Sequence, residues 1–211
     1  MRHAGLVLLI ASACAKPASV PEHWQGPAVV FLGDSLTAGQ GVARQESYPA
    51  LLESRMRAEG FSFPVVNAGI SGEATDQALA RLDPILRQPV AVLFVALGVN
   101  DAIRFHRPPP EIRSNLARII DQAQRAGARV VLAGMKLPLS FDAEYRRQFE
   151  EIYQSLARDY HMPLVPFLLE GVGGKPELNQ GDGLHPTAEG YRRVAAIVWP
   201  VLEPVLREAQ R

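Results

Sequence analysis

The chain has 211 residues, 47% hydrophobic and 21% charged, with 22 basic residues set against 22 acidic ones. That length and balance fit one domain with a substantial core, and a formal net charge of zero gives no overall basic field of the kind that recruits nucleic acid. Cys14 is the only cysteine, which excludes an intramolecular disulfide and a cysteine-based metal cluster.

The first twenty residues, MRHAGLVLLIASACAKPASV, pass from a basic start at Arg2 through an apolar stretch, 4–13, to small residues. This is the pattern of a secretory signal, and the apolar stretch is too short to cross a bilayer. Residues 1–15 are therefore expected to be a signal peptide. Ala13-Cys14-Ala15 suits ordinary signal peptidase, while ASAC resembles a bacterial lipoprotein box ending at Cys14. Residues 16–27, with three prolines, read as a tether, and 28–211 as the domain. An exported, periplasmic protein follows, with a lipid anchor on Cys14 or peripheral membrane contact as one form of it.

AVVFLG at 28–33 is a short apolar run rich in β-branched residues, and reads as a buried strand. Ser47 is placed to cap a helix with Tyr48, Leu51, Leu52 and Met56 on one face and Gly60 at its end. A second strand is expected at 63–69, and Thr75 is placed to cap a helix with Leu79, Leu82 and Leu86 inward, broken or kinked by Pro84. PVAVLFVALG at 89–98 is apolar throughout, as a strand covered on both faces should be. Ile112, Leu116, Ile119, Ile120 and Ala123 follow helical spacing up to Gly127. A fourth strand is expected at 128–134, then a helix carrying Phe149, Ile152, Tyr153, Leu156 and Tyr160, and a short fifth strand at 162–167. The last helix starts near Thr187, carries Tyr191, Val194 and Val198, and is expected to be interrupted by Pro200. This alternation predicts an α/β fold: a three-layer sandwich with a doubly wound, five-stranded parallel sheet and helices on both faces. Sites in such sheets lie at the carboxyl ends of the strands.

Four polar segments follow four of these strands: Gly33-Asp34-Ser35-Leu36, NAGISGEAT with Ser71 and Gly72, Gly98-Val99-Asn100-Asp101, and DGLHP with Asp182 and His185. Each alone has a plain reading as a turn or helix cap. Together, in this order, they supply a nucleophile and its activators. A serine hydroxyl is a poor nucleophile until an imidazole takes its proton. His185 is a base at the same sheet edge, and Asp182, three residues earlier, is placed to fix its tautomer. If a helix starts after Ser35, its dipole adds positive potential there. Other motifs fail: no phosphate loop or G-x-G-x-x-G follows the first strand, GISGE misses the G-x-S-x-G elbow at Glu73, and no zinc spacing is present.

With those blocks in hand, FLGDSLTAG, VVNAGISGEAT, ALGVND and DGLHP, the chain resembles the GDSL or SGNH hydrolases over about 28–205. It is most similar to their bacterial periplasmic thioesterase/lysophospholipase and arylesterase branch. The resemblance implies a flavodoxin-like sheet, metal-independent hydrolysis through Ser35, Asp182 and His185, and no cofactor. It also implies three oxyanion donors: the Ser35 and Gly72 backbone N–H groups and the Asn100 amide. Val99 departs from the family's usual second glycine in the third block, which puts the placement of Asn100 in question.

The loops 100–110 and 136–145 carry Ile103, Phe105, Leu137, Leu139 and Phe141, expected either to form an acyl or aryl groove or to anchor their loops. Arg104, Arg107 and Lys136 meet a phosphate or coenzyme headgroup, or are solvated surface charge. The expected substrates are small acyl esters or thioesters: fatty acyl thioesters, lysophospholipids or aryl esters. Removal of acetyl groups from carbohydrate is the alternative, a binding module with no chemistry is a distant third, and a monomer is expected.

Overall fold

The computed structural model describes residues 23–211; the signal and lipoprotein expectations at 1–15 and most of the tether fall outside them. Five strands, β1 (Ala28–Gly33), β2 (Val65–Gly69), β3 (Val90–Ala96), β4 (Arg129–Ala133) and β5 (Leu164–Val165), form one sheet in the order β2-β1-β3-β4-β5. Every pairing is parallel. Trp24, just before β1, is tied down by hydrogen bonds to the Gln88 side chain and the Pro89 carbonyl, so the last residues ahead of the domain pack on it.

All six residues of β1 are buried, and so are the last five of β3. That is why both read as continuous apolar runs: a central parallel strand meets helices on each face. The helices are α1 (Ser35–Ala38), α2 (Tyr48–Ala58), α3 (Thr75–Ala80), α4 (Leu82–Leu86), α5 (Val99–Ile103), α6 (Pro109–Arg125), α7 (Ala143–Asp159) and α8 (Ala188–Ala209). Six of them fall into two packed groups, α2 with α8 and α6 with α3, α4 and α7, with the sheet between. Phe31 on β1 packs its ring 5.2 Å from Phe94 on β3 and 5.7 Å from Tyr48 on α2. The buried Tyr48 hydroxyl then bonds Thr37 Oγ1 of α1 at 2.8 Å. One aromatic cluster thus fixes α1 over the end of β1.

Three local expectations are corrected. Ser47 precedes α2, but its hydroxyl donates to the Arg44 carbonyl instead of capping the helix. Thr75 is the first residue of α3 and its cap comes from elsewhere: its N–H and hydroxyl both donate to the Asp101 carboxylate, at 2.9 and 2.6 Å. The break between α3 and α4 falls at Arg81 rather than Pro84, which lies in the first turn of α4 where a missing N–H costs nothing.

Nor does Pro200 interrupt the last helix. α8 runs unbroken over 22 residues with Pro200 and Pro204 inside it. Buried Val198, Trp199, Leu202, Val205 and Leu206 hold it on both sides of the prolines. The freed carbonyls of Ala196 and Pro200 belong to exposed residues, where water satisfies them. Pro200→Ala restores a helical N–H at a solvent-facing position, and should stabilise the fold by about 1–3 kcal/mol in urea unfolding, net of the proline's effect on the unfolded chain. A loss of stability would mean that α8 needs the bend.

Candidate active site

The chain winds from β1 out to β2, then crosses back to β3 on the other side of β1. The crevice at such a reversal is open at the carboxyl ends of the strands, and four polar loops meet there. Ser35 opens α1 directly after β1, with Asp34 at the cap position. α1 is a single turn of four residues, too short for much macrodipole. What it offers instead is its first N–H groups. The Leu36 N–H is spent on Asp34 Oδ1 at 3.0 Å. No hydrogen bond among the described residues uses the N–H of Ser35 or of Gly72.

His185 Nε2 lies 2.8 Å from Ser35 Oγ, across 150 residues of sequence, and its Nδ1 lies 2.6 Å from Asp182 Oδ2. The other Asp182 oxygen accepts the N–H groups of Leu184 and His185 at 2.9 and 3.0 Å. These bonds fold the three-residue spacing back on itself. The His185 N–H, the His185 ring and the Leu184 N–H together hold the Asp182 carboxyl down at about 2. A depressed carboxyl contributes stability that is present above its unfolded pKa of about 3.9 and is lost as pH falls below that toward 2, so the loop stays anchored well into the acid range. Gln180 clamps the same loop to the serine turn: its amide donates to the Gln40 carbonyl at 2.8 Å and the Pro186 carbonyl at 2.9 Å. Sequence reading missed Gln180, because a glutamine outside the motif carries no local signal.

Gly72 has φ +80°, and a Cβ there would stand 1.9 Å from Arg104 Nη1, whose guanidinium donates to the Gly72 carbonyl. The left-handed backbone is what calls for glycine here, since the Arg104 guanidinium is the end of a flexible side chain that can move aside. The question about Val99 resolves at the residue before it. The left-handed backbone belongs to Gly98, at φ +118°, and Val99 is the first helical residue of α5. The Asn100 amide nitrogen lies 3.0 Å from the Glu73 carbonyl and 3.3 Å from Asp34 Oδ2. Behind it, buried Asp101 ties α5 to α3 through Thr75, and Asn115 on α6 donates to the Thr75 hydroxyl at 3.1 Å. Glu73 is held by a two-pronged bond to Arg81, at 2.5 Å to each oxygen.

A cleft of about 740 Å³ opens onto Ser35, Gly72, Asn100 and His185. Of the five expected groove residues, Ile103, Leu137 and Leu139 line it, while Phe105 and Phe141 do not. Phe105 is exposed and lies against the Arg104 and Arg107 guanidiniums, and Phe141 packs beside Tyr145. Their places are taken by Leu36, Val99, Phe167, Leu169 and Leu184. Leu36, Val99 and Leu184 were legible, standing inside the motif blocks; Phe167 and Leu169 come from a segment with no motif. Arg104 and Lys136 also line the cleft, whereas Arg107 is paired with Asp76 at 2.8 Å.

The arrangement can take a proton from Ser35 through His185 and steady the resulting charge with Asp182. Asp182→Asn leaves the loop's shape but removes the acceptor that sets the imidazole tautomer. It should lower kcat by about 10³–10⁴-fold, measured on a soluble ester; a loss under tenfold would leave Asp182 as a loop anchor only.

Residues 31–193 match the GDSL-like lipase/acylhydrolase family. Esterase TesA of Pseudomonas aeruginosa is 35% identical over 199 residues, 94% of this chain and 98% of that protein. Thioesterase 1/protease 1/lysophospholipase L1 of Escherichia coli K12 is 36% identical over 180 residues, 84% of each chain. A crystal structure of TesA superposes with a TM-score of 0.81 at 37% identity, covering 84% of this chain and 99% of that one.

Proposed function

The chain belongs to the GDSL-like lipase/acylhydrolase family, and on that premise we propose that it is a serine esterase that cleaves carboxylic ester or thioester bonds through an acyl-enzyme on Ser35. The observation that carries this reading is the hydrogen-bonded line from Ser35 through His185 to Asp182, set at the end of an apolar cleft. Ser35 Oγ attacks the acyl carbon as His185 Nε2 takes its proton, and Asp182 accepts the Nδ1–H of the imidazolium so formed. The oxyanion is met by the Ser35 and Gly72 N–H groups and the Asn100 amide. His185 then hands its proton to the departing alcohol or thiol. A water molecule, deprotonated by the same imidazole, releases the acid and restores Ser35.

The lining of Leu36, Val99, Ile103, Leu137, Leu139, Phe167 and Leu169 favours an extended acyl chain over the acetyl group of a carbohydrate ester. Arg104 and Lys136 line the same cleft with no carboxylate in ion-pair range among the described residues. That supports substrates bearing phosphate, such as lysophospholipids or coenzyme thioesters. The residues named need no metal.

Ser35→Ala should abolish hydrolysis, and a fluorophosphonate probe should label the wild type at Ser35. Across acyl-coenzyme A, lysophospholipid, aryl ester and acetylated sugar substrates, the first three should be turned over and the last should not. Labelling at Ser71, or a preference for the acetylated sugar, would overturn the assignment. The signal-like residues 1–15 support export. Mass spectrometry of the mature N-terminus should find either diacylglycerol-modified Cys14 or a free terminus near Cys14 or Lys16, whereas an intact Met1 would refute export.

A further inference from the structure

Asp34 is completely buried, no cation among the described residues pairs with it, and the proposed chemistry does not use it. Its two oxygens have separate tasks. Oδ1 accepts the Leu36 N–H at 3.0 Å and so caps α1, while Oδ2 faces the Asn100 amide nitrogen at 3.3 Å. The same nitrogen faces the Glu73 carbonyl at 3.0 Å. An asparagine side chain can turn end for end with almost no change of shape, exchanging its NH2 donor for its carbonyl acceptor. Near Ser35 the difference is decisive, because a carbonyl oxygen aimed at a developing oxyanion repels it. Two acceptors on one side of Asn100 admit only the NH2 end. One is a backbone carbonyl that every sequence would supply, and the other is the Asp34 carboxylate.

We infer that Asp34 is a positioning residue, which together with the Glu73 carbonyl selects the amide orientation of Asn100 that leaves a donor beside Ser35. This rests on the reading of Asn100 as an oxyanion donor. The bond to Glu73 is the shorter, so that hydrogen stays in place, and the hydrogen on the longer bond to Asp34 is the one released to the substrate oxygen. The position is held at a cost. Burial, with added repulsion from Glu73 and Asp101, pushes the Asp34 carboxyl up to about 7 against the pull of the Leu36 N–H. A neutral isostere escapes that cost, so stability and activity should part company here.

Asp34→Asn keeps an oxygen for the Leu36 N–H and turns an NH2 toward Asn100, which favours the reversed amide. The test is a double-mutant cycle on a soluble ester, with melting temperatures recorded at pH 8. Asn100→Ala should cost about 10²–10³-fold in kcat with KM little changed. Asp34→Asn should lose at least about tenfold in kcat with KM again little changed, and should melt at or above the wild type. The combined variant should be no slower than Asn100→Ala alone, because Asp34 acts through Asn100. If Asp34→Asn does not fold, Asp34→Ser, which keeps a capping oxygen and drops the second acceptor, takes its place in the cycle. Losses that multiply, or an Asp34→Asn kcat within threefold of wild type, would overturn the inference and leave the oxyanion reading standing. An unimpaired Asn100→Ala would remove both.

Discussion

The turn out of β1 is the constraint on which the site depends. β1 has a strand on either side and helices above and below, so its carboxyl end is the one point reached by loops from both halves of the sheet. The chain must leave a fully buried strand there and still present a serine to solvent. It does so by a single helical turn, capped by Asp34 and tied by Thr37 to Tyr48. The Phe31, Phe94 and Tyr48 cluster below is therefore part of what aims Ser35, although none of the three touches the cleft.

Around that turn the protein buries three carboxylates, and each is met differently. Glu73 has Arg81, in a two-pronged ion pair. Asp101 has the Thr75 N–H and hydroxyl, with Arg107 farther off at 3.6 Å. Asp34 has two N–H donors and, among the described residues, no cation. Burial raises all three carboxyls above their ordinary range, and the one least compensated adjoins the nucleophile. Asp182 is the contrast: open to water and served by three hydrogen bonds, it stays ionised. The site thus separates a solvated carboxylate that steadies the imidazole from buried ones that hold the loops in register. Their bonds join the loops after β1, β2 and β3, and so hold Ser35, Gly72 and Asn100 together at one edge of the sheet.

The cleft is apolar along its length yet carries Arg104 and Lys136. Arg104 also covers Gly72 and donates to its carbonyl, while the Lys136 ammonium rests 5.0 Å from the Phe167 ring. Charged and apolar surfaces thereby lie apart within one cavity. The proposed grouping of esters with thioesters of phosphate-bearing carriers rests on that division.

Much of this was determined by the sequence alone. Continuous apolar runs announced the buried strands, because a strand covered on both faces has no polar alternation to hide them. Ser35, Gly72 and Asn100 were legible because each stands in a short block just beyond a strand, and Asp182 and His185 because they share one short block beyond the loop that follows β5. The sheet order then carries those blocks to one edge. What the sequence left open were matters settled by partners distant in the chain. Thr75 looked like a cap and is itself capped by Asp101, 26 residues on. Pro200 looked like a helix breaker, yet buried neighbours and solvent-facing carbonyls let α8 continue. Phe105 and Phe141 had the right chemistry for the cleft and the wrong direction, while Phe167 and Leu169 reached it from a loop without a motif. Val99 seemed to threaten Asn100 until the left-handed torsion proved to lie at Gly98. The contact between Asp34 and Asn100 spans 66 residues. Local pattern fixes which residues are polar at a strand's end; only packing decides which of their atoms meet.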